Sequence, residues 1–123
     1  MKTIIAPSLL AADFLNLENE MKKLESTSAE WLHLDVMDGA FVPNITFGFD
    51  LIKRLRPLSK KYFDVHLMIE NADGYIKSFV EAGADIISVQ VEACRHLNRT
   101  IQVIKEQKVC AGVVLNPATP LSS

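Results

Sequence analysis

Runs in which apolar and polar residues alternate are separated, along this whole chain, by stretches whose apolar residues recur every three or four positions. The alternating runs cover residues 3–8, 31–37, 62–69, 86–92 and 111–116. Between them Leu17, Met21 and Leu24 form one helical stripe, Leu51, Ile52 and Leu55 a second, Ile76, Phe79 and Val80 a third, and Leu97, Ile101 and Ile104 a fourth. A period of two marks a strand with one buried face, and a period near 3.6 marks a helix with one buried stripe. Successive strands separated by one helix each run parallel, joined by right-handed crossovers, so the pattern predicts an α/β chain built of βα units. Gly83, just past the third stripe, suits a helix C-cap. With 123 residues, one compact domain is expected.

Five predicted strands and four predicted helices fit either an open doubly wound sheet or the first part of an eight-fold βα barrel. Central strands of an open sheet are covered by helices on both faces and tend to be apolar throughout. Here one face is small or polar: Ile4, Ala6 and Ser8 on the first run, His33, Asp35 and Met37 on the second, Ser88, Gln90 and Glu92 on the fourth. A barrel, whose interior narrows toward a site at the C-terminal ends of its strands, accounts for this better. A barrel takes roughly 200 residues or more. The expectation is therefore a (β/α)8 TIM barrel of which residues 1–123 form an incomplete, N-terminal portion.

Two runs, WLHLDVMDGAFVPN and FDVHLMIE, place the same three residue types on one face. His33, Asp35 and Met37 oppose Leu32, Leu34 and Val36, and Asp64, His66 and Met68 oppose Phe63, Val65, Leu67 and Ile69. Histidine and aspartate two apart on one strand, with a histidine on the next strand about 5 Å away, can supply imidazole and carboxylate to one divalent metal ion. Three protein ligands with open positions describe a catalytic site better than a structural one. The same residues also read as hydrogen-bonded polar groups of a barrel interior, and residue types alone leave both readings open. Asp38-Gly39 and the segment NPATP have loop composition and read as turns on the rim of such a barrel. Met37 and Met68 read as pocket lining or as core filler. His96 reads as a loop or helix-start residue.

Composition excludes several classes. Hydrophobic residues make up 49% and charged residues 23%, with a net charge of −2 and no massed basic surface, so nucleic acid is not an expected partner. No run approaches the 18 to 20 apolar residues, roughly, that a membrane-spanning helix needs. The segment after Lys2 resembles a short signal peptide, but Pro7 interrupts it and Asp13 follows at once. Cys94 and Cys110 lack the C-x-x-C spacing and read as reduced thiols. A cytoplasmic protein is the expectation.

The segments IAPSLLAADF, HLDVMDGAFVPNITFG, DVHLMI, EAGAD and VVLNPATP stand in the order and at about the spacing found in the ribulose-phosphate 3-epimerase family, and the chain resembles that family over nearly its whole length. The resemblance implies a (β/α)8 barrel that interconverts D-ribulose 5-phosphate and D-xylulose 5-phosphate by inverting C3. It implies one divalent ion, zinc or ferrous iron, with manganese or cobalt as alternatives, holding the oxygens of an enediolate. Two aspartates serve as acid and base in the family, and Asp35 matches the first. His33, Asp35 and His66 match three of the four metal ligands, and Ser8 and His66 match substrate contacts. Met37 and Met68 match methionines that pack around the intermediate.

The chemistry supports these roles. A proton beside a ketone is too weakly acidic for a carboxylate alone, so the developing negative charge needs a stabilising cation. Inversion needs two groups on opposite faces of the carbon. The second aspartate and the glycine-rich phosphate-binding segments of the family have no counterpart in residues 1–123, and Gln90 stands where many relatives have histidine. The expectation is thus one side of an epimerase site, acting on a small sugar phosphate, in a chain that pairs with another copy or proves poorly soluble. A 3-epimerase of a six-carbon ketose phosphate and a non-catalytic half-barrel interaction module are the alternatives.

Overall fold

The computed structural model describes residues 1–123. Its helices are α1 (Leu17–Glu25), α2 (Phe49–Leu55), α3 (Ile76–Ala82) and α4 (Leu97–Glu106), one on each predicted stripe. Its strands are β1 (Trp31–Met37), β2 (Tyr62–Met68), β3 (Ile86–Gln90) and β4 (Cys110–Val114). All four strands are parallel, in the order β1-β2-β3-β4. Because that order never reverses, right-handed crossovers carry every connecting helix to the same face of the sheet. A doubly wound sheet requires a reversal. The chain therefore has the α/β fold of a partial TIM barrel, with helices outside and a free inner face.

The expected strand over residues 3–8 does not form. Only Ser8 bridges to β1, opposite His33, with the His33 N–H donating to the Pro7 carbonyl at 2.9 Å. Proline has no N–H to give a ladder, and at Ser8 the chain already turns. The Ser8 hydroxyl accepts from the Leu10 N–H at 3.3 Å and caps a 3₁₀ turn over Leu9–Ala11. Three other strands stop earlier than their alternation suggested, β2 by one residue, at Met68. After Gln90 the chain enters a 3₁₀ turn at Val91–Ala93, and β4 ends at Val114, before Asn116.

The core lies between the sheet's outer face and the helices. Leu32, Leu34, Val36, Phe63, Val65, Leu67, Ile87 and Val89 are buried there with Met21, Ile52, Leu55, Ile76, Phe79 and Ile104. On β1 burial alternates strictly, and His33, Asp35 and Met37 are half-buried on the other face. Strand register then decides the site, because it sets Asp35 opposite His66 and Met37 opposite Met68. His66 in turn faces Ser88 of β3.

At the opposite end Arg56 knits three elements together. Its guanidinium donates to the carbonyls of Gly83 (3.0 Å), Ser59 (2.9 Å) and Lys61 (2.6 Å) and to Asp85 Oδ2 (3.0 Å). It also lies 3.6 Å from the centroid of the Phe63 ring. Gly83 closes α3 at φ +116, and a Cβ there would collide with the Arg56 side chain.

Candidate functional site

Period two places His33 and Asp35 on one face of β1, and the in-register pairing brings His66 of β2 beside them. The Asp35 carboxylate is the meeting point. Its Oδ1 lies 2.9 Å from His33 Nε2 and 3.3 Å from His66 Nδ1, and its Oδ2 accepts from the Ser8 hydroxyl at 3.1 Å. The single bridge formed by Ser8 is what holds that hydroxyl in place. Behind β1, the Thr46 hydroxyl donates to the Asp35 carbonyl (2.7 Å) and accepts from the Met37 N–H (3.1 Å), pinning the strand where the site lies.

Each histidine is held from behind. His33 Nδ1 lies 2.8 Å from Asp64 Oδ2, and His66 Nε2 lies 2.8 Å from Gln90 Oε1. The bond to Asp64 holds the His33 imidazole above its ordinary pKa; burial opposes this and the charge of Asp35 adds to it. Asp64 and Gln90 are the two site residues to which sequence reasoning assigned no role. Both lie on the polar face of their strands, so the period-two pattern included them, but it says nothing about which side chains meet.

One ligand atom from each of His33, Asp35 and His66 falls within 4.8 Å of the others. Two imidazole nitrogens and a carboxylate oxygen at that spread are donor types that suit a divalent cation. The group can therefore hold a metal ion. Met37 and Met68, paired in register and both half-buried, form an apolar layer one step further along the strands.

The rim loops have structural roles. Asp38 accepts from the N–H groups of Ala40 (2.9 Å), Phe41 (3.0 Å) and Glu70 (2.8 Å), tying the turn after β1 to the end of β2. Burial opposes ionisation of Asp38, yet these N–H groups together keep it below the usual carboxylate range. Gly39 takes the left-handed φ of +75 that the turn requires. In the NPATP segment Asn116 donates its N–H to Glu92 Oε1, and the Thr119 hydroxyl donates to the same oxygen at 3.1 Å. His96 is exposed and immediately precedes α4. Cys94 and Cys110 are free thiols. No helix is long and apolar enough to cross a membrane.

A parallel sheet with helices on one face and an imidazole-carboxylate cluster on the other defines a barrel-type α/β protein with a group able to hold a cation on its inner wall. Comparison makes this particular. The sequence model of the ribulose-phosphate 3 epimerase family matches residues 4–123, and the chain belongs to that family. It is 59% identical to the ribulose-phosphate 3-epimerase of Bacillus subtilis over 117 residues, which are 95% of this chain and 54% of that protein. It is 53% identical to the enzyme of the same name from Synechocystis, over 96% of this chain and 52% of the relative. Against the chloroplastic ribulose-5-phosphate-3-epimerase of Arabidopsis thaliana it is 48% identical, over 98% of this chain and 43% of the relative. The chain spans about half the length of these relatives.

Proposed function

We propose that residues 1–123 carry one side of the active site of a ribulose-phosphate 3-epimerase, an isomerase that inverts C3 of D-ribulose 5-phosphate to give D-xylulose 5-phosphate. The observation that carries this reading is the convergence of His33, Asp35 and His66 within 4.8 Å, in a chain 59% identical to a relative of that name. His33, Asp35 and His66 would hold one divalent ion, zinc or ferrous iron. When bound, such an ion supplies positive charge that stabilises negative charge developing on the substrate's oxygens.

Asp35 is the base. Its carboxylate sits on the inner wall, where a sugar carbon can approach, and ionisation leaves an oxygen lone pair to receive the C3 proton. The Ser8 hydroxyl, 3.1 Å from Oδ2, orients that carboxylate and is itself placed to meet a substrate oxygen. His66 stands beside Asp35 in the same layer and contributes to substrate contact. Met37 and Met68 cover the reacting carbons and keep water away, which strengthens every charge interaction beneath them. Return of a proton to the opposite face of C3 needs a second acid, which a complete site supplies from elsewhere. The substrate is a small sugar phosphate, the setting is the cytoplasm, and the working form is a homo-oligomer.

Two measurements test the reading. Titration of the 123-residue chain with Co(II) is expected to show one bound ion, abolished by His66→Gln; the absence of stoichiometric binding would count against the site. Residues 1–123 are then exchanged for the matching segment of the Bacillus subtilis relative, and xylulose 5-phosphate formation is followed in a coupled assay. Turnover lost on Asp35→Asn supports the assignment. A folded but inactive exchange product sinks it.

A further inference from the structure

We propose that Gln90 is a positioning residue that selects the ring tautomer of His66 and thereby presents Nδ1, unprotonated, to the cation site. The inference deepens the reading of His33, Asp35 and His66 given above. The Gln90 side chain is buried, with the residue only 3% exposed, at the end of β3. Its carboxamide is held at both ends. The amide nitrogen lies 3.1 Å from Asn116 Oδ1 and 3.5 Å from Glu92 Oε2, and the amide oxygen lies 2.8 Å from His66 Nε2.

The protonation pattern follows from what each group can do. An ionised carboxylate only accepts hydrogen bonds, so the end of the amide turned toward Glu92 is the NH₂. Glu92 stays ionised because the Asn116 N–H, above all, keeps its carboxyl below the usual range. The carbonyl oxygen of Gln90 then faces His66, and it too only accepts. His66 Nε2 must carry the proton. In a neutral ring the lone pair is left on Nδ1, which lies 3.3 Å from Asp35 Oδ1. An imidazole lone pair and a carboxylate oxygen at that distance repel, and a cation held by both turns the repulsion into attraction.

Without an acceptor at position 90 the ring has a better choice. It can move its proton to Nδ1 and donate to Asp35, which places a proton where the metal ion belongs. Gln90 therefore disfavours the competing tautomer and, through Asn116 and Glu92, links the cation site to the loop after β4. Partners of this kind behind a metal-ligating histidine typically govern affinity by about 10- to 100-fold.

The test is spectroscopic. Imidazole ¹⁵N resonances of the labelled 123-residue chain are recorded at a pH where the rings are neutral, for the parent, Gln90→Met and Glu92→Gln. Gln90→Met keeps the volume and removes the acceptor. Glu92→Gln leaves Gln90 in place but frees its amide to turn around, so it serves even where the buried substitution fails to fold. The parent is expected to hold His66 with Nε2 protonated. Both variants are expected to shift it toward Nδ1–H, with Co(II) affinity falling about 10- to 100-fold in Gln90→Met. An unchanged His66 tautomer in both variants would overturn the proposal. A tautomer shift in a chain whose parent form binds no Co(II) would uphold the role of Gln90 and defeat the metal site.

Discussion

Both nitrogens of the His33 ring face a carboxylate oxygen, Asp64 on one side at 2.8 Å and Asp35 on the other at 2.9 Å. One carboxylate thus orients the ring that the other joins at the proposed cation site. Asp64→Asn keeps the shape and removes the charge, and it should weaken Co(II) binding by about 10- to 100-fold in a competition assay while leaving the circular dichroism spectrum unchanged. A second residue-scale prediction concerns acid. The Ser59 hydroxyl, at 2.6 Å, and then the Lys60 N–H, at 2.9 Å, hold Glu25 below the usual carboxylate range. A carboxyl depressed by folding stabilises above its unfolded value, about 4.3, and that contribution is lost as the pH falls through the folded value. Urea midpoints of Glu25→Gln should accordingly fall less steeply below about pH 4.3 than those of the parent. At this scale the alternation along β1 and β2 made His33, Asp35, Met37, His66 and Met68 legible, because period two fixes a shared face. Alternation also set Ser8 on the inner face of its run, but its role came from resemblance alone. Asp64 and Gln90 were visible as polar residues but not as partners, since only the register shows which rings they meet.

Among elements, the helices were legible from their stripes, and each of the four formed where its apolar spacing lay. Strand ends were less so. Alternation continues through residues 3–8 and past Gln90, but hydrogen-bond ladders stop where proline withholds a donor or where a 3₁₀ turn takes the backbone over. The clamp at Arg56 was not legible at all, because it joins carbonyls from residues 59, 61 and 83 that have no sequence signature. It carries its own test. Arg56→Lys loses the planar fork and leaves carbonyls unpaired, which should cost about 1–3 kcal/mol in chemical denaturation. Gly83→Ala meets both an unfavourable φ of +116 and the Arg56 side chain. Its cost should be smaller in an Arg56→Ala background, where the closest contacts, with Arg56 Cγ and Cδ, are gone; strict additivity would show that the collision is relieved without cost.

For the molecule as a whole, every helix covers one face of the sheet, so the opposite face and the free edge of β4 carry the consequences. Val113 is 43% exposed on that strand, and β4 pairs only with β3. Unpaired edges with apolar side chains invite association. Sedimentation of the 123-residue chain should show concentration-dependent assembly, reduced by Val113→Lys; a single monomeric boundary at all concentrations would contradict this.

The direct pairing of Asp35 with His66 has a further consequence for how the chain folds. Residues 31 positions apart in sequence supply donors to one group only when β1 and β2 are aligned without a slip, because a shift of one residue would turn His66 into the apolar layer. Capture of a cation at the proposed site would thus report correct strand alignment, and an ion bound there during folding would stabilise aligned forms over slipped ones by mass action. A chain folding with such an ion would be proofread by its own chemistry.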